Sequence, residues 1–345
     1  MSKKTILGLS MRYVSNKQTT SLSIFFIILI LTLIIAFSNG SFDFSFLSLL
    51  KGETNSLENT IFFEIRIPRV ILACLVGTSL AISGACLQGL FRNPLADPGL
   101  IGVSAGAALG ASIIIVFGST IFSKFILSTF LLPLAACFGS GVVIFLLFLL
   151  TKGFGYQGIT YMLLVGIAIN AIASVGIGIL TFISTESELR GLTFWTMGSF
   201  GGITWPLLIP AILIIITSLI FLMPMLRDLD ILQLGESEAS SLGVDVQRLK
   251  YRIIFTSAAT VGASVALSGM IGFVGLVVPH LVRLIAGVNH SYVIIGSALI
   301  GSSLMVFADL LARTLIQPAE LPVGLITSAI GSPFFLWLIF RINKV

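Results

Sequence analysis

The residues that could do chemistry in this chain are few, and they sit where long apolar stretches break. Arg66-Ile67-Pro68-Arg69 places two guanidinium groups on either side of a proline, and Arg313 stands four residues after Asp309. Pro68 suits the first turn of a helix. Arginine is a poor match for a helix N-terminus, where the macrodipole favours anions. Two of them there point to an external acidic partner or substrate; the other reading is interfacial snorkelling, with Glu64 as a local neighbour. Both readings stand on the residues alone. Asp309 is the only acid well inside an apolar stretch near that end, and an i,i+4 pair with Arg313 accounts for it.

The second cluster is acidic. Within Asp230 to Asp245, Gly235 and Gly243 bracket a helix of about two turns. Leu234, Ala239 and Leu242 can form an apolar stripe, leaving Glu236, Glu238 and Ser240 on other faces. So short a helix does not hold itself together in water. A membrane-surface role prefers basic residues on the polar face, so this acidic one is expected to dock into a cleft on a partner. His280 follows Pro279 in an apolar stretch and reads as a buried histidine satisfied by backbone rather than a proton relay or ligand. Cys74, Cys86 and Cys137 all lie inside apolar runs and read as small packing residues. The sequence holds no P-loop, no metal-spaced His or Cys cluster and no nucleophile elbow, so it offers no catalytic constellation and no cofactor site; any ATP chemistry must come from another chain.

The elements that position these residues are membrane spans. The chain is 57% hydrophobic and only 10% charged, against about 25% charged in soluble domains. Ser21 to Phe37, Val70 to Phe91, Phe125 to Leu150 and Leu207 to Leu226 contain no charged side chain, and each is near the roughly 17–25 residues that cross a bilayer as a helix. The pattern predicts an all-α integral membrane protein with spans at about 20–38, 68–91, 97–118, 125–150, 159–183, 206–226, 250–270, 273–287, 292–313 and 323–341,. The stretch from Gly191 to Thr204 is expected to be partly interfacial. The whole of 1–345 forms one membrane domain, with the outer segment from Ser38 to Ile67 a loop and the cytoplasmic insert at about 228–248 its largest inner feature. An uncleaved first helix is expected rather than a signal peptide.

Orientation follows from the basic residues. With the N-terminus inside, Lys3, Lys4, Arg12, Lys17, Arg92, Lys152, Arg227, Arg248, Lys250, Arg252, Arg283, Arg341 and Lys344 are cytoplasmic, and Lys51, Arg66, Arg69, Lys124, Arg190 and Arg313 are outside. Both termini are therefore expected in the cytoplasm. The dispersed basic charge is no nucleic-acid signal. Within the spans, Gly102, Gly106 and Gly110 share one helix face and let a neighbour approach closely, as a packing surface or a sliding face of a translocation path. Pro98, Pro279 and Pro333 mark places where unwinding could open a path. Ala81-Ile82-Ser83-Gly84 recurs as Ala266-Leu267-Ser268-Gly269, a faint echo of the kind inverted repeats leave.

Several stretches together resemble the FecCD-type permeases, the membrane subunits of ABC importers for iron–siderophores, haem and cobalamin. They are Arg66 to Arg69, Gln88 to Pro98, Gly235 to Gly243, Gly272 to His280, Glu320 to Gly324 and Gly331 to Pro333, in the family's order over about residues 60–340,. The resemblance implies a type II importer fold of ten helices in the bacterial cytoplasmic membrane. It implies a pathway between two permease subunits, identical or paralogous, with two cytoplasmic ATPase subunits holding ATP and Mg and an extracytoplasmic binding protein. Carried onto this chain, Gly235, Glu236, Glu238, Ala239, Leu242 and Gly243 look like the coupling helix that seats in the ATPase. Arg66, Arg69 and Arg313 look like the pocket that receives the binding protein's acidic residues. The cargo it implies is an iron–siderophore, with haem and cobalamin open. An ion-coupled secondary transporter is the rival class, with Asp309, His280 and Arg283 its candidate ion-carrying groups.

Overall fold

The structure, a computed structural model, describes residues 15–40, 55–121, 128–151 and 158–342. The basic residues Lys3, Lys4, Arg12, Lys51, Lys124, Lys152 and Lys344 lie outside them. Among the described residues the regular secondary structure is all helix, and the described part of each predicted apolar stretch falls on helix. In order these are α1 (Asn16–Ser38), α2 (Ser56–Thr60), α3 (Ile67–Phe91), α4 (Val103–Ile121), α5 (Ser128–Thr151), α6 (Gly158–Ile183), α7 (Glu186–Met197), α8 (Trp205–Leu222), α9 (Leu226–Leu232), α10 (Glu236–Ser241), α11 (Val246–Ser268), α12 (Val274–Ala286), α13 (His290–Thr314) and α14 (Val323–Ile342). Six helical stretches among the described residues are long and apolar enough to cross a membrane, the longest Ser56–Phe91.

Local chemistry sets the ends. Ser15 and Gln18 form a capping box at the start of α1, and Gln18 Nε2 also donates to the Ala286 carbonyl at the end of α12, 3.0 Å away,. Asp245 caps α11 and Asn289 caps α13 through backbone N–H groups of the first turn,. α7, at 12 residues, is too short to span a bilayer, which fits the partly interfacial stretch expected near 191–204.

One expectation is corrected at the start of α3. The segment before it is not a loop throughout: α2 and a π-helical stretch, Ile61–Arg66, run directly into α3. Pro68 has no N–H to donate back along the helix, and the wider π turn just ahead of it, with Ile67 N–H donating to Phe62 O, accommodates that gap,. Arg66 and Arg69 therefore sit inside a continuous helical run rather than at a helix N-terminus, and the macrodipole argument does not apply to them.

α3 and α13 are the two most buried of the six long apolar helices and pack against each other, with α11 and α12 beside α3. Glycines allow this. A Cβ on Gly77 would lie 2.2 Å from the Gly301 carbonyl oxygen of α13, and one on Gly84 would lie 1.9 Å from the Gly275 carbonyl oxygen of α12. Backbone meets backbone at both points, and Thr78 and Ser302 hydroxyls hydrogen-bond across the first seam at 2.7 Å,. The second seam joins α4 to α5 and α6. Gly106 lies against Gly139, Gly110 against Ala135 and Gly102 against Gly166, each within 3.2 Å of the neighbour's backbone oxygen for an added Cβ. The glycine face read from the sequence is thus a packing face. The four-residue echo has no shared role: Gly84 is a mid-helix contact, whereas Gly269 ends α11 with φ +71°.

Replacing Gly77 by Val is expected to destabilise the folded protein by about 2 kcal/mol or more, because neither backbone can retreat without unpacking the bundle. Gly141→Ala, where an added Cβ meets nothing within 4 Å, should leave the unfolding temperature in detergent unchanged. Equal unfolding temperatures for the two variants would refute the seam.

Candidate functional site

Three places in the bundle concentrate polar chemistry: the two ends, and a cavity between them. At the end assigned to the outside, Arg66, Arg69 and Arg313 come together, all at 5–7% exposure. Arg69 lies on α3 and is held by carboxylates from two other elements. Its Nε donates to Asp309 Oδ1 at 2.9 Å and its Nη2 is 2.8 Å from the same oxygen, while Nη1 donates to Glu320 Oε1 at 2.9 Å. Arg313 Nε is 3.4 Å from Asp309 Oδ2, and its Nη2 donates to the Ala36 carbonyl at 2.8 Å. Arg66 Nη1 donates to the Phe37 carbonyl at 2.7 Å. The arginines therefore tie α3, α13, the approach to α14 and the end of α1 into one network. The spacing of Asp309 and Arg313 revealed one pair; the shorter pair, Arg69 with Asp309, joins residues 240 apart in sequence and left no local signal.

At the opposite end, α9 and α10 form a compact insert. Gly235 and Gly243 bracket α10 as expected, with φ of +129° and +89° that side chains rarely adopt,. The proposed apolar stripe divides. Ala239 is fully buried, whereas Leu234 and Leu242 are 66% and 62% exposed. Glu236, expected on a face other than the apolar stripe, turns inward: its Oε2 receives Lys250 Nζ at 2.8 Å, with the side chains only 14% and 3% exposed. Further ties fix the insert to the bundle. Asp230 Oδ1 lies 2.6 Å from His290 Nδ1 and accepts the His290 backbone N–H, and Gln233 Nε2 donates to the Gly89 carbonyl at 2.9 Å. These contacts reach α11, α13 and α3 in turn. Deeper in, Gln88 bridges α3 to α12, donating to the Gly275 and Leu276 carbonyls and accepting from Arg283.

Between the ends lies a cavity of about 410 Å³ whose lining includes Asp97, Ser104, Thr196, Met270 and Ser328. Its floor is the break between α3 and α4. There Asp97 caps a 3-10 turn at Pro98–Ile101 through the Gly99 N–H, 2.7 Å away, so unwinding near Pro98 is part of the fold. Its rim is a backbone knot. Val323 N–H donates to the Gly198 carbonyl at 2.9 Å, Ser199 N–H donates to the Ser268 carbonyl at 2.8 Å, and Gly324 lies against Met197 O. Pro279 is buried within α12 and does not line the cavity. Sequence reasoning did not find this cavity, because its lining comes from five stretches far apart in the chain. Of the ion-carrying candidates, Asp309 is enclosed by two arginines and Arg283 is bonded to Gln88 and the Ala85 carbonyl. Among the described residues no group of three or more His, Cys, Asp or Glu side chains could hold a metal ion.

Comparison with known proteins places this architecture. The hemin transport system permease protein HmuU of Yersinia pestis is 45% identical over 318 residues, covering 92% of this chain and 94% of that protein. The vitamin B12 import system permease protein BtuC of Escherichia coli O127:H6 is 35% identical over 319 residues, with the same coverage. The molybdate import system permease protein MolB of Haemophilus influenzae is 36% identical, covering 85% of this chain and 84% of that protein. A solved structure of a metal-chelate type ABC transporter in an inward-facing conformation superposes with a TM-score of 0.83 at 32% identity, covering 94% of this chain and 99% of that one. The FecCD transport family matches residues 24–341; the chain belongs to that family and is a multi-pass membrane permease of a type II ABC importer.

Proposed function

We propose that this permease, paired with a second identical or paralogous subunit, carries an iron chelate inward, driven by two cytoplasmic ATPase subunits and supplied by an extracytoplasmic binding protein. The observation that carries the reading is the insert at α9 and α10. Two exposed leucines, Leu234 and Leu242, flank a short helix whose glutamate is locked to α11, the arrangement needed to seat in a partner and pass its movement into the bundle. α10 is then the coupling helix, with Leu234 and Leu242 meeting the ATPase. ATP and Mg reside on that partner. Glu236–Lys250, Asp230–His290 and Gln233–Gly89 deliver the displacement to three different helices, so the bundle tilts as a body.

Arg66, Arg69 and Arg313 are the docking site for acidic residues of the binding protein, where charge complementarity chiefly speeds encounter and fixes register. Their burial makes this a site opened by docking rather than a standing cationic surface. The mixed-polarity cavity beneath them is the part of the path this subunit contributes. Its single carboxylate, the partly buried Asp97, is engaged in capping a turn, which suits a poorly selective conduit, with selectivity left to the binding protein.

Haem is the cargo we favour, supported by the 45% identity to a hemin permease over nearly the whole chain. The iron–siderophore expected from the sequence is the second reading, favoured by the likeness to a metal-chelate type transporter. The assembled importer in proteoliposomes, loaded with ATP and offered radiolabelled haemin, a ferric siderophore or cobalamin, separates these. Haemin uptake that requires ATP is the expected result. Uptake that proceeds without ATP and collapses with the proton gradient would refute the whole reading.

Three variants probe the ends. Reversing both Arg66 and Arg69 to Glu should weaken binding-protein association by about tenfold or more, read by surface binding to the reconstituted importer. Lys250→Met alone should destabilise the protein by about 3 kcal/mol by leaving Glu236 buried and uncompensated, and should lower cargo moved per ATP hydrolysed. The double variant Glu236→Leu with Lys250→Met should recover most of the stability. If each variant retained wild-type unfolding and coupling ratio, the insert would not be a joint.

A further inference from the structure

We propose that Glu320 occupies on Arg69 the place a docking carboxylate takes, and that displacing it loosens the start of α14 over the cavity; the first half rests on the docking reading. The two carboxylates on Arg69 are not equivalent. Asp309 is 1% exposed, takes both Nε and Nη2, and also faces Arg313. Glu320 meets Arg69 through Nη1 alone and its side chain is 37% exposed. Removing Asp309 strands two buried cations. Exchanging Glu320 for another carboxylate leaves the charge count on Arg69 unchanged, and a half-exposed ion pair contributes little to stability. Of the two, Glu320 is the displaceable one.

Its position in the chain gives the exchange a consequence. Glu320 lies outside any helix, and the next residues are the rim of the cavity. Leu321 N–H donates to the Ala312 carbonyl at 2.8 Å and Val323 N–H to the Gly198 carbonyl at 2.9 Å. Gly324 packs with no side chain against Met197 O and Met270 O, where a Cβ would lie at 2.2 and 3.3 Å. Gly324, Leu325 and Ser328 then line the cavity. Arg69 thus anchors the first turn of α14 through Glu320, and a carboxylate arriving from outside takes that anchor for itself. Glu320 is a positioning residue: it touches no cargo and acts through Arg69 and α14.

The test uses the full chain in lipid nanodiscs, with phenylglyoxal as an arginine-selective probe read at Arg69 by peptide mass spectrometry. In Glu320→Gln, Arg69 should label about fivefold faster than in wild type, the effect of losing one part-exposed ion pair. Amide exchange over residues 321–326 should also accelerate. Glu320→Asp should restore protection on both readouts, which a merely structural loss of the side chain would not do. Tetraglutamate should protect Arg69 in Glu320→Gln at concentrations that do nothing to wild type. Unchanged labelling and exchange in Glu320→Gln overturn the anchor; tetraglutamate that fails to protect overturns the exchange of carboxylates. Failure of the docking reading shows separately, as binding-protein affinity and uptake that survive charge reversal at Arg66 and Arg69 while the Glu320 readouts still respond.

Discussion

At Gly77 the backbone of α3 lies against the backbone of α13 at Gly301, and one helical stretch later Gly84 lies against Gly275 of α12. Lipid offers helices no hydrophobic reason to associate, since the tails are as apolar as leucine. Close approach, with its dispersion contacts and the short hydroxyl bonds it permits, must supply the association instead. Those contacts need a strip without side chains on both partners. With α3 fixed against α12 and α13 in this way, Arg69 is carried to Asp309, Gln88 to the first turn of α12, and Gly89 to Gln233. The polar chemistry at both ends follows from the glycine seam between them.

That arrangement divides the molecule into a stiff centre and adjustable ends. Backbone-to-backbone contacts have no rotamers through which to yield, so α3, α12 and α13 move together or not at all. The ends are built from longer and partly exposed side chains: a lysine to a glutamate, a histidine to an aspartate, an arginine to two carboxylates of unequal burial. Signals can enter through such groups because they can be exchanged or displaced without opening a hole in the core. The broken segment between α3 and α4, the knot at residues 195–203 and the start of α14 border the cavity and lie outside the stiff centre.

The sequence disclosed what depends on near neighbours. Runs without charge marked the helices, and Gly235 and Gly243 marked the ends of α10, because a left-handed residue is a local requirement. Glycines at every fourth residue from Gly102 to Gly110 showed a close-packed face, although not which helices it would meet. What escaped was everything made by distant residues. Ala239 and Leu242 are both apolar, yet one is fully buried and the other faces out, a distinction only the packed structure can make. Glu236 was placed off the apolar stripe without a partner, because that partner, fourteen residues on, lies in the next helix. Arg66 and Arg69 were read against a helix start at Pro68; a π turn, which no local pattern announces, carries the helix through it.

The Lys250–Glu236 pair also bears on how the protein reaches the membrane. During insertion the two residues are not yet joined, and the lysine counts as a full positive charge among those expected to hold this flank on the inner side, whereas acidic residues carry little topological weight. After folding, the same side chain is buried in its ion pair with Glu236. On the proposed coupling role, one side chain then serves first as a topological signal and later as part of the joint. An apolar substitute that restores the packing of the joint would still remove a retention charge at synthesis, so biogenesis can preserve Lys250 even where stability alone would not.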